Sequence, residues 1–387
     1  MRISFVHVVI GLFRSKNERS QSVFQRRNFV TSKSLRKREM AAENFYAACS
    51  VDRAAEKRKD DAWLKERLSS ESTIFLPMWK LNNLVAVPAE AGKAPVPVFW
   101  SVHEYAPFLA SEKAPVPVFL GLMRNEDRAV FTIDLSDVAK EPPCPILDSK
   151  PYSWDSPTLS TAQHTFADLR TLGPLMDADN AALLGAARGL MAWASVSSHC
   201  SKCGSTTALT EAGHARECLS CKTKYYPRTD PAVIMLITCG EYCLLGRQHR
   251  WPPGRYSALA GFVEPGESLE DAVTRESWEE ASIKIERPTI QYHSSQPWPF
   301  PCSLMIGFYA RLPAVVPPPP PVADGEELED CRWFHHSYIR EQILQENDSN
   351  REATATTTGE HSDIKNFRLP GPYAIARRLV DDWLLSV

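Results

Sequence analysis

The chain lacks any run of eighteen apolar residues, so no segment reads as a membrane-spanning helix. It also lacks a surplus of positive charge. Its 44 Lys and Arg stand against 47 Asp and Glu, a formal net charge of −3, and no global basic field argues for nucleic acid. The ten cysteines lack the spacing of a disulfide framework; four form two CxxC pairs and the other six are scattered. That pattern suits a reducing compartment and a metal site. Repeats are nearly absent too. KAPVPVF occurs twice, at 93–99 and 113–119, where a solenoid needs at least three copies. Its prolines confine both copies to edge strands or loops. What is present, 387 residues of which 43% are hydrophobic, suffices for two or three globular domains.

The most informative stretch is 261–283, GFVEPGESLEDAVTRESWEEASI. A glycine turn leads to Glu267 and then into a helix-like run that carries Arg275, Glu276, Glu279 and Glu280. Residues three and four apart share a helix face, so Glu276 lies beside Glu279 and Glu280. Three ionised carboxylates on one patch repel one another. Hard cations such as Mg²⁺, which take oxygen ligands and bridge to phosphates, relieve that repulsion. Arg275 is placed to reach back to Glu267 and pin the loop. A solvated charged helix is the plainer reading, but it leaves the coordinated offsets of glycine, arginine and carboxylates unexplained.

The stretch resembles the Nudix box: Gly, five residues, Glu, seven residues, Arg-Glu, an aliphatic, any residue, Glu-Glu, any residue, Gly, an aliphatic. Gly261, Glu267, Arg275, Glu276, Glu279, Glu280 and Ile283 match. Ser277 stands in place of the aliphatic residue and Ser282 in place of the closing glycine. Ser277 is expected to face the core. A non-glycine at Ser282, where the helix would end left-handed, costs on the order of 1 kcal/mol. Neither change removes a charge, so both read as stability costs that leave the metal site intact.

Upstream, Cys200 and Cys203 are separated by fourteen residues from Cys218 and Cys221. Two CxxC turns supply the four soft ligands of one tetrahedral Zn²⁺, in a closed and therefore structural site. Gly204 eases the first turn, and neither His199 nor His214 is needed as a ligand. Downstream, 295–303 reads SQPWPFPCS. Three prolines in five residues predict a stiff loop between strands at 290–293 and 304–311, displaying Trp298 and Phe300 for stacking or for packing. The array matches the SQPWPFPxS pattern of the NADH pyrophosphatase branch of the Nudix family. The ribbon and the Tyr226–Ile234 stretch (YPRTDPAVI) resemble that branch as well. The resemblance runs from about Phe166 to the C-terminus, is weak over 70–165, and includes no ankyrin repeats.

That resemblance implies an α/β fold, a Nudix α/β/α sandwich at 227–387, preceded by a zinc ribbon at 198–226 and a mixed α+β domain at 70–197. Within 70–197 the apolar runs at 74–76, 84–87, 96–99 and 129–133 predict strands, while 165–172 and 177–195 predict helices. A charged helical segment is expected at 54–67. Inserts are expected near 313–325, with five consecutive prolines suited to a polyproline II spacer or an SH3-type ligand, and near 347–362, which is rich in Thr, Ser and Asn.

The implied reaction is hydrolysis of the pyrophosphate of NADH or NAD⁺ to AMP and nicotinamide mononucleotide. Removal of an NAD cap from RNA, or a non-catalytic dinucleotide sensor, are the alternatives. Glu276, Glu279, Glu280 and Glu327, with the carbonyl of Ala260, are the expected Mg²⁺ or Mn²⁺ ligands. Glu279 or Glu280 is the expected proton acceptor, and Arg275 with Glu267 completes the catalytic set. Phe262, Tyr226, Gln296, Trp298, Ser303 and Ala376 are the expected substrate contacts. Tyr226 would come from a second protomer, which implies a homodimer; the lack of a long apolar run argues against a membrane partner. Residues 1–40 hold ten Lys and Arg but only Glu18 and Glu39 as acids. This start reads as a mitochondrial or plastid presequence. A secretory signal, a disordered tail and a misassigned start are rival readings, and peroxisomal or cytoplasmic residence is the alternative to the mitochondrion.

Overall fold

In the computed structural model, the described residues are 44–47, 51–88, 92–111, 113–124, 126–138, 163–346, 361 and 363–387. The basic start, the Pro-rich connection near 141–157 and, apart from His361, the 347–362 insert lie outside them.

The first sheet holds, in spatial order, β1 (Val51–Asp52), β5 (Val118–Met123), β6 (Ala129–Asp134), β2 (Ile74–Trp79), β3 (Asn82–Val87) and β4 (Val96–Pro97), with β7 (Gln163–Ala167) also on β3. Helices α1 (Asp61–Ser69), α2 (Val102–Tyr105), α3 (Leu169–Leu172) and α4 (Ala178–Val196) accompany it. The Asp177 carboxylate accepts from the Asn180 N–H at 2.9 Å and starts α4. Leu183, Leu184, Ala187 and Met191, at helical spacing, then pack against Leu76, Met78, Val85 and Val118 of the sheet. The helix expected at 165–172 is instead β7 followed by the single turn α3. Asp168 ends the strand by capping that turn, its carboxylate accepting from Arg170 N. The first KAPVPVF copy contributes β4 at the sheet edge; Pro115 and Pro117 of the second fall just before β5.

The ribbon is a three-stranded sheet of β8 (Thr207–Thr210), β9 (Ala215–Cys218) and β10 (Lys224–Tyr225). The last sheet runs β14 (Ile290–Trp298), β15 (Ser303–Leu312), β11 (Asp230–Cys239), β12 (Tyr242–Arg247), β16 (Asp330–His335), with β13 (Leu259–Phe262) also on β11. β11 and β15 are parallel; the other pairs are antiparallel. The apolar run of β11 is buried on both faces, which is why it reads as continuous rather than alternating. Val233, Met235 and Ile237 face the layer formed by α5 (Leu269–Ala281), while Ile234 and Leu236 face α6 (His336–Glu346) and α7 (Ile375–Leu384). This is an α/β/α sandwich. Its centre holds β11, and the 261–283 stretch supplies one outer layer.

The proline array departs from the expected loop. Residues 295–298 belong to β14, and only 299–302 turn. β14 is an edge strand, where Pro297 removes no ladder bond that the sheet needs.

Candidate active site

The short strand β13 delivers Ala260 and Gly261 to the start of the α5 layer. Ser268 caps α5, its hydroxyl accepting from Asp271 N at 3.2 Å. Gly261 is required by clearance rather than by backbone angle. A Cβ there would lie 1.8 Å from Cδ of Glu276 and 1.9 Å from its Oε1. The Glu276 carboxylate thus rests directly on the strand backbone.

Arg275 organises the site. Its Nε and Nη2 donate to the two Glu267 oxygens at 2.8 and 2.9 Å, Nη1 to Glu276 at 2.8 Å and Glu279 at 2.9 Å, and Nη2 also to the Phe262 carbonyl at 2.8 Å. Glu267 in turn accepts from the Glu264 N–H at 3.0 Å, so the turn, the strand end and the helix share one cation. The bidentate Arg275 guanidinium holds the Glu267 carboxyl below the ordinary range.

Glu276 and Glu280 are buried, and burial is the main reason that both carboxyls are raised. The charges of Glu279 and Glu327 raise Glu276 further, against the pull of Arg275. Glu280 is pushed up to about 9, with Glu276, Glu327 and Asp324 adding to burial against a backbone hydrogen bond at Ala260. Glu280 Oε2 has no hydrogen-bond partner among the described residues. A buried, unpartnered carboxylate oxygen that feels the charges of Glu276 and Glu327 has the oxygen chemistry that a hard divalent cation takes. Glu279 differs: its side chain is 56% exposed and tied to Arg275. Glu327 comes from the loop before β16, where the Asp324 carboxylate accepts from the N–H groups of Glu327 and Leu328 at 3.0 and 2.8 Å. The Asp-Gly pair at 324–325 is the sequence signal for that turn.

The two serines of the box behave as expected. Ser277 is fully buried and donates to the Val273 carbonyl at 2.6 Å. Ser282 is left-handed at φ 55°, with Ser282 N and Ile283 N returning to the carbonyls of Trp278 and Ser277. The end is closed as a glycine would close it, at a cost on the order of 1 kcal/mol.

The four ribbon sulfurs lie within 4.8 Å of one another. Cys200 and Cys221 are 3.6 Å apart and Cys203 and Cys218 3.5 Å. Tetrahedral zinc with ~2.3 Å bonds needs sulfurs about 3.8 Å apart, so the set fits. Gly204 after the first turn and Lys222 after the second are both left-handed, at φ 75° and 58°. The Tyr225 hydroxyl lies 3.0 Å from Cys200 Sγ and orients that sulfur. His214 is occupied elsewhere, its Nε2 lying 2.6 Å from the Phe119 carbonyl.

The expected substrate contacts divide. Phe262 and Tyr226 are exposed, at 60% and 61%, and each offers an open ring. Ala376 is the second residue of α7, where helix N–H groups lack intrahelical acceptors. The array is different from the displayed loop that its prolines suggest. Phe300 is buried, with the Arg170 and Arg188 guanidinium groups 4.9 and 5.5 Å from its ring centre. Trp298 is half-buried and edge-on to Phe300 and Tyr46. The Gln296 amide is spent inside the chain. Its Nε2 donates to the Phe45 and Tyr373 carbonyls at 2.9 and 2.8 Å, and its Oε1 accepts from Ile375 N at 2.9 Å. Ser303 opens β15 opposite Trp298. The array therefore pins the start of α7 and the first sheet's core to the catalytic sheet.

Sequence reasoning missed the segment 44–47. Asn44 Nδ2 donates to the Ser295 carbonyl, and Arg378 Nη1 to Asn44 Oδ1, both at 2.7 Å. Tyr46 is 4% exposed and packs edge-on against both Trp298 and Phe300. The adjacent Phe45 and Tyr46 in a charged region were the available signal.

Comparison with known proteins agrees with this architecture. Residues 228–356 match the NUDIX domain, 52–193 the NADH pyrophosphatase-like rudimentary NUDIX domain, and 197–226 the NADH pyrophosphatase zinc ribbon domain. The sandwich with its arginine-centred carboxylates is thus that of a Nudix hydrolase. Within that class, the chain belongs to the NADH pyrophosphatase family, whose three domains it carries in order. It is 32% identical over 363 residues to human NAD-capped RNA hydrolase NUDT12, covering 88% of this chain and 73% of the relative. Nudix hydrolase 19, chloroplastic, of Arabidopsis thaliana is 38% identical over 253 residues, 57% of this chain and 56% of the relative. Human NAD(P)H pyrophosphatase NUDT13, mitochondrial, is 35% identical over 222 residues, 57% and 59% of the two chains. The chain therefore spans little more than half the length of two of these relatives.

Proposed function

We propose that this protein hydrolyses the pyrophosphate bond of NADH or NAD⁺, releasing AMP and the corresponding nicotinamide mononucleotide. The observation that carries the reading is the buried pair Glu276 and Glu280, Glu276 held against Gly261 by Arg275 and Glu280 with an unpartnered oxygen. Glu276, Glu280 and Glu327 would hold Mg²⁺ or Mn²⁺, with Glu279 and the Ala260 carbonyl beside them. When bound, such an ion neutralises phosphate oxygens and lowers the pKa of a water. Glu280 would take the proton of the attacking water, because one of its buried oxygens is left without a partner where Glu279 is half-exposed and paired. Phe262 stacks on a base, and Tyr226 from a second copy closes the other side, so the working form is a homodimer.

The test is product analysis with NADH and Mg²⁺. AMP and reduced nicotinamide mononucleotide are expected at a kcat of roughly 1 s⁻¹ or above. Binding of NADH without cleavage would make the protein a sensor. Removal of the NAD cap from RNA is the second reading, favoured by the human relative that covers most of the chain. A capped RNA in the same assay ranks the two substrates. The acid-poor start of the chain, and relatives described as chloroplastic and mitochondrial, support an organellar destination, the mitochondrion first. Residues 1–40 fused to a fluorescent protein are expected to direct it there; diffuse cytosolic signal would refute this.

A further inference from the structure

The polyproline insert leaves the end of β15 and returns to β16 by way of Glu327. It is tied down at three points on different elements. The Cys239 thiol, at the end of β11, donates to the Pro313 and Val315 carbonyls at 3.3 and 3.5 Å. The indole N–H of the buried Trp333 donates to the Pro319 carbonyl at 2.7 Å. The Val322 N–H donates to the carbonyl of Ala281, the last residue of α5 and the neighbour of Glu280, at 2.9 Å. Carbonyls at a helix C-terminus have no acceptor role within the helix, so this bond caps α5 from outside. Two residues on, Asp324 clamps the Glu327 turn. Leu328 is then buried against Gly246, where an added Cβ would meet it at 2.8 Å.

Proline carries no N–H, so the run can engage neighbours only through its carbonyls. A polyproline II segment has no internal hydrogen bonds, yet it is stiff. The run is bonded to Trp333 of β16 at Pro319 and to the end of α5 at Val322, so the stiff prolines between these bonds hold α5 at a set separation from β16, the strand into which the Glu327 turn leads. A solvated surface loop would need none of these anchors. The engaged groups are carbonyls, of Pro313 and Val315 ahead of the run and of Pro319 within it, while the Pro317, Pro319 and Pro320 rings stay exposed.

We propose that the insert is a brace that sets the separation between the Glu280 end of α5 and Glu327, so that it positions the two halves of the divalent-cation site. The inference rests on the reading that both carboxylates hold that cation. Pro319, Val322, Trp333 and Cys239 are positioning residues and do not touch substrate.

The test uses the full chain with its ribbon zinc in place. Residues 317–321 are replaced by a Gly/Ser segment of equal length, and Mn²⁺ binding is measured directly from the electron paramagnetic resonance of the free ion. NADH KM and the unfolding transition are measured alongside. Mn²⁺ affinity is expected to fall about tenfold, the scale of losing support behind a metal ligand, with KM little changed. Unchanged Mn²⁺ affinity in a cooperatively folded variant overturns the brace. If the replacement does not fold, Trp333→Phe, which removes the indole donor, is judged by the same two outcomes. Glu327→Gln is run in parallel. Lost affinity there with none in the replacement overturns the brace alone; no loss there overturns the ligand assignment of Glu327 and the brace with it.

Discussion

Gly261→Ala is expected to lower kcat by about 10²-fold or more while leaving the protein folded. The new Cβ would occupy the position of the Glu276 carboxyl, 1.8 Å from its Cδ. That carboxylate is the part that must move, because Gly261 sits in β13, paired with Val233 of the central strand. Displacing it also breaks its bond to Arg275, which holds Glu267 and Glu279. Overpacking of this kind costs about 1–3 kcal/mol of stability, a tolerable loss for a folded domain. Gly266→Ala is the control. Gly266 has φ 87° and nothing within 4 Å of an added Cβ. It should lose about 1–2 kcal/mol through backbone strain and keep its kcat. Steady-state kinetics and thermal unfolding of the two variants decide the matter. Equal kcat losses would mean that the glycine serves the turn and not the carboxylate.

Glu280→Gln is expected to reduce kcat by about 10²- to 10⁴-fold, the range for loss of a positioned proton acceptor. Glu279→Gln should cost less, since Glu279 is half-exposed and already neutralised by Arg275. The same substitution changes the pH dependence of stability. The Glu280 carboxyl starts from 4.5 and is raised to about 9 in the folded chain, by burial and by Glu276 and Glu327. Between those values the folded chain retains a proton that the unfolded chain has lost. Stability from this group is therefore complete below about pH 4.5 and is lost as pH rises towards about 9. Metal-free wild-type protein should lose melting temperature across that window, and Glu280→Gln should lose less. A divalent cation, which favours the ionised carboxylate, should restore more stability at the alkaline end than at the acid end. Parallel slopes for wild type and variant without metal would refute the assignment.

Legibility of the site followed chain distance. Arg275, Glu276, Glu279 and Glu280 share a helix, and Glu267 stands just before its cap Ser268, so spacing predicted the Arg275–Glu267 pair, while the further Arg275 bonds to Glu276 and Glu279 came from the structure. The four cysteines were equally legible, because each pair spans one tight turn. For the array, the sequence named the family but left stacking and packing open, and its expected displayed loop is mostly strand with Phe300 buried. Its prolines describe local stiffness, but whether a stiff segment is displayed or buried depends on what packs on it. Here Tyr46, Arg170 and Arg188, distant in sequence, cover Phe300. The 44–47 segment was invisible for the same reason: its bonds run to Ser295, Gln296 and Arg378, more than 240 positions away.

The amino-acid sequence by itself indicated the box residues, the four-cysteine cluster, the strand at the centre of the sandwich and the family, since these rest on periodicity and short offsets. Only the tertiary structure decided why Gly261 must be glycine, which of two adjacent glutamates is buried with an unpartnered oxygen, and where the proline insert is anchored. Those facts depend on burial and on close approach between remote segments. Chain connectivity does not encode such approaches locally, and the energy that sets them is released only when the layers close.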